Sequence, residues 1–116
     1  MNFGFDIDGT ISASPQVYAL LIEALHDAGH GIYIITGTMD PVVTLTHYEQ
    51  RIHQLMTWGI PPGTYTLFIV NAPNHVAEKA RLCKGYAIKM MFEDSETYAQ
   101  AINAAGTLCV LMPKEL

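Results

Sequence analysis

The chain has 116 residues, half of them apolar and 15% charged, with a formal net charge of −5. That length admits one compact domain spanning residues 1–116, and that composition excludes a disordered tail. Six Lys and Arg cannot build the basic stripe that follows an extended nucleic acid. No apolar run nears the roughly 20 residues that cross a bilayer. Asp6 follows Met1 with no basic region between them, unlike a secretory leader. Cys83 and Cys109 lack the spacing of a zinc site or a disulfide framework, so a cytoplasmic domain free of membrane is expected.

Phe3 to Ile7 form a short apolar run that stops at the polar turn Asp8-Gly9-Thr10, the pattern of a buried strand. Ser14-Pro15 then supplies a helix cap with proline in the first turn, and Val17, Leu20, Leu21, Ala24, Leu25 and Ala28 recur at helical spacing up to Gly29. A second strand, Gly31 to Ile35, is β-branched and aromatic and ends at Thr36-Gly37-Thr38. Asp40-Pro41 repeats the cap-plus-proline start and predicts a second helix running to about Trp58. After Pro61-Pro62-Gly63 come a third strand (Tyr65 to Val70), a helix from Asn74 to about Lys84, a fourth strand (Ala87 to Phe92), a helix from about Ser95 to Ala105, and a fifth strand (Leu108 to Met112).

Regular alternation of strands and helices predicts an α/β fold, a Rossmann-like three-layer α/β/α sandwich around a five-stranded, mainly parallel sheet. Ligands of such sheets bind beyond the carboxyl ends of the strands. Three of those ends carry the polar residues: Asp6 to Thr10, Thr36 to Thr38, and Glu93 to Ser95.

Phe5-Asp6-Ile7-Asp8-Gly9-Thr10 resembles the first motif, DxDGT, of the haloacid dehalogenase superfamily of phosphohydrolases. Thr36 after an apolar strand resembles the second motif, a lysine on the helix before the fourth strand the third, and Glu93-Asp94 the fourth. The resemblance covers essentially the whole chain and implies a Mg²⁺-dependent phosphatase working through an aspartyl phosphate. Asp6 is the implied nucleophile and Asp8 the acid and base that protonates the leaving oxygen and then activates water. Asp6, Asp94, Glu93 and the backbone carbonyl of Asp8 are the implied metal ligands, hard oxygens that suit Mg²⁺. Thr36 would offer a hydroxyl and Gly37 a backbone N–H to the phosphoryl oxygens, and Gly9, Thr10 and Thr38 are the other implied substrate-binding residues.

Lys79 and Lys84 compete for the lysine role. A helix rises about 1.5 Å per residue, which puts Lys84 roughly 15 Å from the helix start and Lys79 about half as far, so Lys79 is the expected residue. Lys89 inside a strand and Lys114 near the end read as surface residues, and His47, Tyr48, Arg51 and His53 as a solvated helix face, with a grip on the substrate as the alternative. His75, beside the cap at Asn74, stands close enough to the strand edge to touch a leaving group.

Asp8 separates the pattern from the dehalogenases of that superfamily, which lack this acid. The short stretches after Asp8 and between Thr36 and Tyr65 leave no space for a cap domain. An open site suits a phosphorylated substrate that is large or a nucleotide, or a homo-oligomer whose neighbour supplies the lid. The alternative class is a phosphate-binding or phospho-receiver-like regulatory domain. A receiver, however, pairs adjacent acids on its first strand and places its lysine after the last one.

Overall fold

A computed structural model describes residues 1–113; Lys114 lies outside the described residues. Five strands, β1 (Asn2–Phe5), β2 (Gly31–Thr38), β3 (Thr66–Asn71), β4 (Ile88–Glu93) and β5 (Leu108–Leu111), alternate with four helices, α1 (Pro15–Asp27), α2 (Leu45–Thr57), α3 (His75–Gly85) and α4 (Glu96–Ala104). A short 3-10 turn, Ile11–Ala13, precedes α1. The sheet order is β3-β2-β1-β4-β5 and every pair is parallel, which turns the expected mainly parallel sheet into a wholly parallel one. Among the described residues no domain is inserted into any crossover.

Two apolar layers sandwich the sheet. On one face Phe5, Ile7, Ile32 and Ile34 pack with Tyr18 and Ile22 of α1 and Leu55 of α2. On the other, Ile35, Val70 and Met91 pack with Leu82 and Cys83 of α3 and Ile102 of α4. Each fully buried Ile or Leu contributes about 1.5 to 3 kcal/mol relative to exposure, so both layers are needed to hold the strands in one plane. No helix is long and apolar enough to cross a membrane.

The second helix begins later than the Asp40-Pro41 signal predicts. Thr44 is its N-cap, and the Thr44 N–H donates to His47 Nδ1 at 3.0 Å. With Nδ1 accepting, His47 carries its proton on Nε2 and donates to Asp40 Oδ2 at 2.7 Å. A reciprocal cap of this kind satisfies helix-end donors that proline cannot, and residues 39–44 become a loop folded back on α2. The second strand is longer than expected and runs through Thr36 and Gly37 to Thr38, because β3 pairs with it as far as Asn71.

The strand order moves outward from β1 to β3 and then reverses to β4 and β5, so the reversal lies between β1 and β4. Crevices in open parallel sheets form at such reversals, beyond the carboxyl ends of the two strands. Asp6 and Glu93-Asp94 occupy that position.

Candidate active site at the reversal of strand order

Phe5 pairs with Phe92 in the register of β1 and β4, and their rings stack with centroids 5.0 Å apart at 6°. Tyr18 meets both rings edge-on, at 6.0 and 6.3 Å. Stacked and edge-on rings contribute about 0.5 to 1.5 kcal/mol beyond their area and fix the two strand ends against each other. The Asp6 N–H extends the pairing by donating to the Phe92 carbonyl at 3.0 Å.

Side chains alternate across a strand, so the residues after these two phenylalanines face the opposite layer. Phe5 and Ile7 enter the layer under α1 and α2. Asp6 and Glu93 therefore meet α3, where Lys79 waits. Lys79 Nζ donates to Asp6 Oδ1 at 2.9 Å and to Glu93 Oε2 at 2.7 Å. All three are buried: Asp6 is 5% exposed, and Lys79 and Glu93 are 0%. Of the two candidate lysines, Lys79 is the one beside the acids, while Lys84 in the last turn of α3 is exposed. Lys79 Nζ also lies 4.1 Å from the centre of the Tyr98 ring, whose face favours a cation.

With every group ionised, the charges in this cluster would not balance. Burial pushes the Asp6 pKa up to about 8, Lys79 pulls it down without prevailing, and Glu93 adds to the rise. Burial works against the Lys79 charge, but the Asp6 and Glu93 carboxylates outweigh it and hold Lys79 protonated above the ordinary lysine range. One ammonium thus serves two buried carboxylates, and Asp94 adds a third acid at the edge. Carboxylate oxygens of Asp6, Glu93 and Asp94 lie within 4.8 Å of one another. A hard divalent cation fits this set, since it brings the missing positive charge to ligands that are all oxygen.

Glu93 is already committed on both oxygens. Oε2 accepts from Lys79, and Oε1 accepts the N–H groups of Asp94 at 3.1 Å and Ser95 at 3.3 Å. These bonds fix the turn that presents Asp94. Gly9, with φ of +80°, sits against Asp94, and a Cβ there would collide with the Asp94 carboxylate. The Gly9 N–H donates to Ser12 Oγ at 2.8 Å.

Thr10 and Thr36 are each 1% exposed, and both hydroxyls are buried without a hydrogen-bond partner. An unpaired buried hydroxyl costs about 1 to 3 kcal/mol, and both of these stand at the carboxyl edge of the sheet. Gly37 lies inside β2 opposite Val70, and its missing side chain makes space for the Tyr98 hydroxyl. Thr38 Oγ1 accepts the Asp40 N–H at 3.2 Å. His75 Nδ1 is also buried without a partner, and its ring meets Tyr98 edge-on at 5.9 Å.

Asp8 lies beyond the strand and faces a different layer from Asp6. Its carboxylate is gripped by Arg51 of α2, with Nη1 to Oδ1 at 3.1 Å and Nη2 to Oδ2 at 2.6 Å. The sequence reading of Arg51 as a solvated residue is thereby corrected, as is that of Tyr48, whose hydroxyl accepts the Ile69 N–H at 3.3 Å. His47 is likewise engaged in the cap of α2. The available signal for Arg51 was its spacing from His47 and Gln54, four before and three after, which makes one polar face on a helix.

No protein-family model matches the chain, and a search of curated proteins finds no relative.

Proposed function

We propose that the chain is a Mg²⁺-dependent phosphomonoesterase that works through a phosphoryl-Asp6 intermediate. The observation that carries this reading is the cluster at the strand-order reversal, where Lys79 joins Asp6 to Glu93 and Asp94 completes a three-carboxylate set. A second buried acid without its own counter-charge is costly to a fold that gains nothing else from it. A site that must bring one anion to another has a use for it.

Asp6, Asp94, Glu93 and the Asp8 carbonyl would hold Mg²⁺, and the Asp94 and Ser95 N–H groups on Glu93 would brace the turn. When bound, the cation supplies the positive charge that lets a carboxylate approach a phosphate dianion. The chain's own residues carry the chemistry. An Asp6 carboxylate oxygen forms a bond to phosphorus as the bond to the leaving oxygen breaks, and Asp8 gives that oxygen a proton. In the second half Asp8 takes a proton from water, the water oxygen bonds to phosphorus, and the bond to Asp6 breaks, releasing inorganic phosphate. Lys79 holds Asp6 in place and offsets charge, while the Thr10 and Thr36 hydroxyls offer donors to the phosphoryl oxygens. The free, buried Cys83 and Cys109 fit a reducing cytoplasm.

Without a cap the site is open, so binding energy must come from parts of the substrate remote from the phosphorus. A large phosphorylated molecule, a nucleotide, or a neighbouring subunit acting as a lid would each supply it. The test is turnover of an aryl phosphate in Mg²⁺ and in EDTA. Hydrolysis that disappears in EDTA and returns with Mg²⁺ is expected. Hydrolysis indifferent to EDTA, or none across aryl, nucleotide, sugar and peptide phosphates, overturns the proposal.

A further inference from the structure

We propose that Arg51, with the cavity beside it, is a subsite for a second phosphate on the substrate, and that the preferred substrates are bisphosphates. The inference rests on the assignment of Asp8 as the acid and base. A cavity of about 420 Å³ opens beyond the carboxyl end of β2, lined by Gly37, Thr38, Gln50, Arg51 and Gln54 among others. Its acid, Asp40, is already held by His47 at 2.7 Å. Arg51 is the permanently charged cation in its wall, and Gln54 Oε1 accepts from Arg51 Nη1 at 2.9 Å, steadying the guanidinium.

The Asp8–Arg51 pair is built to exchange. The Asp8 side chain is 64% exposed, and exposed ion pairs contribute about 0 to 1 kcal/mol, so a phosphate can displace the carboxylate at small cost. The planar guanidinium fork matches a phosphate as well as it matches a carboxylate. In the resting arrangement both Asp8 oxygens accept from Arg51. Asp8 cannot hand a proton to a leaving oxygen while both its oxygens are held this way. A second phosphate that takes the Arg51 fork would free Asp8 and anchor the leaving portion in one event. A monophosphate would have to wait for the pair to open unaided, so its turnover would be slower.

The test uses probes with carbon–phosphorus bonds, which no phosphatase chemistry can cleave. The Mg²⁺-loaded protein is titrated by calorimetry with a series of alkane-α,ω-bisphosphonates and with alkylphosphonates of matching length. At least one bisphosphonate should bind tenfold or more tighter than its matched monophosphonate, and Arg51→Gln should remove that advantage. Three results overturn the proposal: no bisphosphonate gains, the gain survives Arg51→Gln, or Arg51→Gln weakens both members of each pair equally. The last would put Arg51 on the reacting phosphoryl group instead. Because these probes report binding alone, the outcome is separate from whether aryl phosphates are hydrolysed.

Discussion

Two clusters of carboxylates with basic partners stand at the same edge of the sheet, one on each side of it, and they differ in burial and in the number of acids per base. On the α3 side, Asp6, Glu93 and Lys79 are sealed from solvent and, with both acids ionised, short of one positive charge. On the α2 side, Asp8–Arg51 and Asp40–His47 are one-to-one pairs whose acids face water. Burial makes the first cluster costly and rigid, whereas exposure makes the second inexpensive and exchangeable. A nucleophile benefits from the first environment. A group that must give and take protons, and a cation that must change partners, benefit from the second.

Asp6→Asn should separate the two most sharply. An amide neither attacks phosphorus nor holds a cation well, so turnover should fall to background. In EDTA, however, the melting temperature should hold or rise, because the acid without a counter-charge has been removed. A fall of several degrees in EDTA would contradict the charge imbalance. Lys79→Met is the opposite case: it strands two buried carboxylates and should cost about 3 to 5 kcal/mol in urea unfolding. Asp8→Asn should leave stability within about 1 kcal/mol, since its pair is exposed, while turnover drops about 10²- to 10⁴-fold.

A smaller effect follows from proton linkage. The unfolded chain releases the Asp6 proton at its ordinary 3.8, but the metal-free folded chain keeps it up to about 8. Between those values the folded state binds more protons, so this group's contribution to stability falls as pH rises. Thermal melts in EDTA from pH 4.5 to 7.5 should show that slope, and Asp6→Asn should flatten it. Saturating Mg²⁺, which takes the place of the proton, should oppose it.

The buried cluster was far more legible in the sequence than the exposed one. Asp6 ends an apolar run, Glu93-Asp94 ends another, and Lys79 sits just over one turn into the helix before the fourth strand; alternation along strands and rise along a helix suffice to bring such residues together. The pairing of Arg51 with Asp8 was not legible, because it depends on how α2 lies across the sheet, which neither strand alternation nor helical rise gives. The start of α2 was misplaced for a related reason. Asp40-Pro41 carries the local signal, but the Thr44–His47 cap prevails because His47 also binds Asp40 and closes the loop. The double commitment of Glu93 also escaped the sequence, which marks an acid but not the backbone N–H groups that turn toward it.

The central claim is that Asp6 becomes covalently phosphorylated, and a trapping measurement tests it most directly. In Asp8→Asn protein the water-activating base is missing, so the intermediate should accumulate. After incubation with Mg²⁺ and an aryl phosphate, acid quench and peptide mass spectrometry should find one added phosphoryl group, confined to the peptide that carries Asp6. A protein that releases inorganic phosphate while Asp6 stays unmodified at every quench time, or that carries the phosphoryl group on another residue, would contradict the account.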